Sequence, residues 1–160
     1  MATSEAETYR RSLLLWGGTV GFALGAIVDV VAFHLVFQHH HLFSGYIDPH
    51  GYEGFRTNVR YDGLFLSITL VLVVFGAAML WRTVNRARVE LSGRYLTGAI
   101  LVGAGAFNVL DGTLSHYLLD LHDVVHGTEA WNPRWIVVSL LLLGAGLGLL
   151  YRADGPVRSN

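Results

Sequence analysis

Four long apolar blocks separated by polar segments organise this chain. The apolar runs cover roughly 13–37, 62–81, 95–119 and 133–151, each close to the ~20 residues an α-helix needs to cross a bilayer. The pattern predicts an all-α fold, one integral membrane domain built as a four-helix bundle. The first run follows Arg10-Arg11 and could pass for a twin-arginine signal. It is long for a signal's apolar core, contains Asp29 and lacks a clear small-x-small cleavage site, so it reads as a retained helix.

Two of the four runs carry the same polar interruption. Asp29, His34 and His40, spaced Asp-x4-His-x5-His, return as Asp111, His116 and His122. At the α-helical rise, Asp29 lies about 24 Å from Leu13 and Asp111 about 24 Å from Tyr95, with His34 and His116 at about 31 Å. Equal depth on helices running the same way is the expectation for a parallel repeat of two helical hairpins, although helices 2 and 4 share little pattern. Carboxylates and imidazoles within hydrocarbon are expensive, and they mark sites or pathways.

An ideal α-helix turns about 140° over the five residues from Asp29 to His34, so the two are expected to point apart. Asp29 is expected to reach towards helix 3 and its Asn108 and Asp111. His34, Gln38 and His41 are expected on one face, as are His116, Asp120 and Asp123. Asn58, Tyr61 and Asp62 open helix 2 at the same level. The reading is one polar centre holding His34, His41, His116 and His122 as ligands, with Asp29, Asp62, Asp111 and Asn108 binding or orienting them. Taken singly, His39, His40, His41 and His50 look like solvated loop residues, and His122 pairs with His126 only if helix 3 continues.

Arginine placement sets the orientation. Arg10, Arg11, Arg82, Arg86, Arg88, Arg94, Arg152 and Arg158 fall on one side, and Arg56, Arg60 and Arg134 on the other. The positive-inside rule then makes both termini cytoplasmic and turns every histidine outward. Gly17, Gly21 and Gly25 in helix 1, Gly98, Ala99, Gly103 and Gly105 in helix 3, and Gly144 and Gly148 in helix 4 predict close helix contacts, within the chain or in a homo-oligomer.

Composition narrows the chemistry. The 160 residues are 52% hydrophobic and 14% charged, with no cysteine and a net charge of -1. Thiolate metal sites, iron–sulfur clusters and a Cys nucleophile are excluded, and nothing points to a nucleic-acid partner. No Gly-x-Ser-x-Gly elbow, His-Glu-x-x-His motif or Gly-Lys-Ser/Thr phosphate loop occurs. Imidazole and carboxylate suit zinc, copper(II), iron or manganese. His34 and His116 could instead be the axial pair of a haem in an electron carrier or oxidoreductase. A proton relay uses the same residue types, and structural hydrogen bonding in a non-catalytic subunit would leave the centre without a ligand. Surplus histidines at the entrance favour metal capture and transfer, with copper or zinc foremost.

Several motifs together resemble a known family. They are Asp29-x4-His34, Gln38 with His40-His41-Leu42, Thr57-Asn58 with Asp62-Gly63-Leu64-Phe65, and Phe107-Asn108-x2-Asp111-Gly112-x3-His116-x2-Leu119-x-Leu121-His122. The chain resembles the prokaryotic four-helix membrane proteins grouped as domain of unknown function two-two-four-three. The resemblance implies a four-helix fold in the cell membrane of a prokaryote, and points to copper assembly for a respiratory oxidase within a larger membrane complex. Leu66, Tyr117 and Asp123 stand where the family carries further histidines.

Overall fold

The computed structural model describes residues 2–87 and 90–153. Arg88 and Arg158, counted above in the arginine asymmetry, lie outside them. Helix α1 (Ala2–Asp29) runs on into a π-helical turn (Val30–Val36), and α3 (Gly93–Thr113) into a second one (Leu114–Leu118). Helix α2 (Tyr52–Arg86) lies between them, and a 3-10 turn (Glu129–Trp131) leads into α4 (Asn132–Ala153).

The four stretches Glu5–Val36, Tyr52–Arg86, Gly93–Leu118 and Glu129–Ala153 are long and apolar enough to cross a membrane. They outrun the apolar blocks, because a helix started in hydrocarbon continues through flanking residues that can still satisfy its backbone. Helix α2, with 35 residues, is about 52 Å long. Its overhang from Tyr52 carries Asn58 and Asp62 up beside the histidine-rich loops.

Helices α1 and α3 form the central pair, with α2 packed on α1 and α4 on α3. Small residues let the backbones meet. A Cβ on Gly21 would collide with the Ile100 carbonyl, and one on Gly103 with the Gly18 carbonyl. Between α3 and α4, a Cβ on Gly105 would lie 2.6 Å from the Leu143 nitrogen, and one on Gly146 2.6 Å from the Val102 nitrogen. Gly144 and Gly148, expected to make such contacts, have nothing within 4 Å among the described residues. Gly146 takes that role instead, because the buried face of α4 is Asn132, Ser139 and Gly146.

That face exposes a kinship the sequence hid. The buried positions of α2 in the same register are Asp62, Thr69 and Gly76, again seven apart, so each position has a counterpart on α4. The second hairpin therefore repeats the first in its outer helix as well as its inner one. Both outer helices otherwise present apolar side chains outward, such as Val71 and Val74 on α2 and Val138 and Leu141 on α4.

Candidate metal centre

The two π turns correct the expected separation of Asp29 and His34. In the first, the Phe37 N–H donates to the Ala32 carbonyl at 2.8 Å and the His39 N–H to Phe33 at 2.8 Å. In the second, Leu119 donates to Leu114 at 2.8 Å and Leu121 to Ser115 at 2.7 Å. Phe37 and Leu119 bond to the fifth residue back, and His39 and Leu121 to the sixth. Such bonds widen the helix, so residues five apart come onto one edge. Asp29 Oδ2 accordingly lies 3.3 Å from His34 Nε2, and Asp111 Oδ2 lies 3.3 Å from His116 Nε2. The carboxylate faces the histidine of its own turn rather than reaching across to the other helix.

Each turn stops at a left-handed residue that is not glycine, Gln38 (φ 52) and Asp120 (φ 49). Such strained positions persist only where surrounding structure holds them, and they cluster at functional sites. With the helix ended, Gln38 and Asp120 face solvent, and His41 and Asp123 leave the face expected of them. The reversal folds the next histidine back into the molecule. His40 Nε2 comes to 3.7 Å from Asp29 Oδ1, and His122 Nε2 to 3.9 Å from Asp111 Oδ1. Far from being solvated, His40 and His41 are 0% and 2% exposed.

Four imidazoles thus pack as one cluster. Ring centroids are 4.5 Å apart for His34 and His40, 4.8 Å for His116 and His122, and 4.6 Å for His40 and His122. Their Nδ1 atoms are mostly spoken for. His34 donates to Asp62 Oδ1 at 2.8 Å, His40 to the Val124 carbonyl at 2.8 Å, and His122 to the Leu42 carbonyl at 3.1 Å. Donation at Nδ1 fixes the tautomer of a neutral imidazole and leaves the lone pair on Nε2. The Nε2 atoms of all four rings are buried without a hydrogen-bond partner among the described residues, as are Asp29 Oδ1 and Asp111 Oδ2.

Around the cluster stands a second layer of hydrogen bonds. Asp62 accepts from His34 and from the Leu42 N–H (2.9 Å) on Oδ1, and from His41 Nδ1 (2.7 Å) on Oδ2. Asn132 occupies the matching place. Its Oδ1 accepts from the Val124 N–H at 3.0 Å, and its Nδ2 donates to Asp123 at 2.8 Å. His116 Nδ1 has no partner among the described residues.

The sequence-predicted residues therefore divide. Asp29, His34, Asp111, His116 and His122 meet in the cluster, while Asp62 and His41 stand behind it. Asn108 stays on its own helix, donating to the Ala104 carbonyl at 2.8 Å. His40 and Asn132 were missed as site residues, although the Asp-x4-His-x5-His repeat already paired His40 with His122. His39 is exposed, and His50 binds Asp48 at 2.6 Å on the surface. His122 and His126 sit in a loop, not a helix. Burial pushes the His122 imidazole down to about 3, helped by His40. Burial, and then His41, pushes His126 down to about 4.

A crevice of about 290 Å³ runs in between α2 and α3, past Phe65, Ile68 and Leu110, to Asp29, Asp111 and His122. A matching one of about 200 Å³ between α1 and α4 reaches Asp29 past Val28 and Trp135.

Two like hairpins of membrane-crossing helices, closed over a buried cluster of histidine and aspartate, define a small all-α integral membrane protein. The chain belongs to the family described as Predicted membrane protein (DUF2243), whose model matches residues 16–153 and so takes in both copies of the motif. No match to the chain was found among curated proteins or among solved structures.

Proposed function

We propose that the protein is a membrane metal-binding protein whose centre holds a transition metal ion. Its use in this reading is copper or zinc handling at the outer face of a prokaryotic cell membrane, with a respiratory enzyme as recipient and both termini cytoplasmic. The observation that carries it is the convergence of four buried Nε2 atoms and two carboxylate oxygens that lack hydrogen-bond partners among the described residues. Each such atom costs about 1–3 kcal/mol if nothing satisfies it. A lone pair facing a carboxylate is repulsive, and a cation between them reverses the sign.

The ligands are His34, His40, His116 and His122 with Asp29 and Asp111. The sets His34, His40, His122 and Asp111, His116, His122 each have ligand atoms within 4.8 Å of one another. Imidazole and carboxylate without thiolate suit zinc, copper(II) or iron. Asp62 and the loop carbonyls orient the rings, as partners behind a metal-bound histidine do. His40 and His122 lie stacked at 4.6 Å, each already donating from Nδ1 to a carbonyl, so each presents at Nε2 a lone pair that a cation satisfies. A haem needs a macrocycle-wide slot between its axial histidines, whereas His40 and His122 fill the space beside His34 and His116. The more exposed His39, His50 and His126 suit capture of an ion before it enters.

Elemental analysis of detergent-purified protein from metal-replete cells tests this. Bound metal that is reduced in His34→Ala and in His116→Ala is expected. Metal-free wild type would overturn the reading.

A further inference from the structure

We infer that the centre holds two metal ions, one in each repeat, and that the site of the first repeat is the tighter. This rests on the metal-centre reading above. The two ligand sets that lie within coordinating reach share His122, and its single free nitrogen cannot serve two ions. Division by repeat removes the conflict. Asp29 is 3.3 Å from His34 and 3.7 Å from His40; Asp111 is 3.3 Å from His116 and 3.9 Å from His122. Each repeat thus offers two histidines and one carboxylate, the residue types of a divalent transition-metal site. Ligand atoms of Asp111, His116 and His122 lie within 4.8 Å of one another, while Asp29 meets His34 through Oδ2 and His40 through Oδ1.

The surroundings break the symmetry. In the first repeat the His34 Nδ1–H meets the Asp62 carboxylate at 2.8 Å, which fixes the ring and raises the basicity of its other nitrogen. In the second repeat the matching residue is the neutral Asn132, which is engaged with Asp123 and Val124. His116 Nδ1 is left without a partner among the described residues. Its ring has neither the anchor nor the anionic support that His34 has. Loss of a carboxylate behind a ligating histidine typically weakens metal binding by about 10–100-fold, so the two sites should differ by that order.

Equilibrium dialysis of the full chain in detergent against Zn²⁺, followed by elemental analysis, tests the inference. Two equivalents are expected, taken up in two steps at least about tenfold apart. His116→Ala should abolish the weak step and His34→Ala the tight one. Asp62→Asn should weaken the tight step by about 10–100-fold and bring the two together. Should Asp62→Asn fail to fold, Asn132→Asp combined with Asp123→His recreates the first repeat in the second, and should tighten the weak step. Saturation at one equivalent, or two steps that none of these exchanges moves, overturns the inference while leaving the metal centre standing. No bound Zn²⁺ overturns both.

Discussion

His40 and His122 stack with their centroids 4.6 Å apart and their planes 9° from parallel. Each donates from Nδ1 to a carbonyl of the other repeat, His40 to Val124 and His122 to Leu42. The two imidazoles at the middle of the cluster are thereby also the fastening between the two hairpins.

That double role makes His40 more sensitive than its neighbours in the histidine run. His40→Ala should lose bound metal as fully as His34→Ala, and His39→Ala should retain it, since His39 is exposed. His41→Ala should fall between them, because it removes one donor to Asp62 but no ligand. Elemental analysis of the three variants side by side checks the order.

Asn108→Ala should leave metal content unchanged. Its amide is engaged with its own helix at Ala104. A loss of metal comparable to that of His34→Ala would place Asn108 among the ligands after all.

The π turns can be tested by length. Deleting one residue between Asp29 and His34 lets the turn revert to α-geometry with the pair four apart, still on one edge. Far-UV circular dichroism and metal retention should both stay near wild type. Inserting one alanine there instead puts the pair six apart, about 120° off one edge in an α-helix, and metal retention should be lost. The same two changes between Asp111 and His116 should act alike.

Glycine substitutions separate buried contacts from lipid-facing positions. Gly21→Ala or Gly103→Ala forces α1 and α3 apart, because the added Cβ meets backbone rather than a movable side chain. Overpacking of that kind costs about 1–3 kcal/mol. Gly144→Ala and Gly148→Ala meet nothing within 4 Å among the described residues and should be neutral or slightly stabilising. Thermal unfolding in detergent ranks the four.

Acid should destabilise the metal-free protein. His126 is held neutral in the fold, at about 4 against an ordinary 6.5. The unfolded chain therefore binds more protons between those values. The stability this provides is complete above about 6.5 and is lost as pH falls through about 4. Thermal unfolding should drop between pH 7 and pH 4.5, and less steeply in His126→Gln.

Much of this architecture can be read from residue patterning. Long apolar runs give the four helices directly, and equal depths of Asp29 with Asp111 and His34 with His116 give the parallel repeat. The failures share one physical origin, the assumption of ideal α-geometry to the end of each helix. A π turn leaves no mark in hydrophobic periodicity over so few residues, so the five-residue spacing was read as divergence when it is convergence. The same assumption favoured His41 over His40, because a helix continued past Val36 would have put His41 on the face of His34. The match between Asp62 and Asn132 was hidden differently. The loop after the second π turn is shorter than that after the first, so the outer helices repeat at a different interval from the inner ones. With α2 and α4 mostly facing lipid, only three matching buried positions on each were left to show the likeness.

The two hairpins correspond down to the left-handed residue that closes each turn, Gln38 and Asp120. Each half donates to the other's backbone, His40 to Val124 and His122 to Leu42. Neither hairpin therefore closes the cluster alone: a chain of half the length would leave these bonds unmade and its imidazoles uncovered.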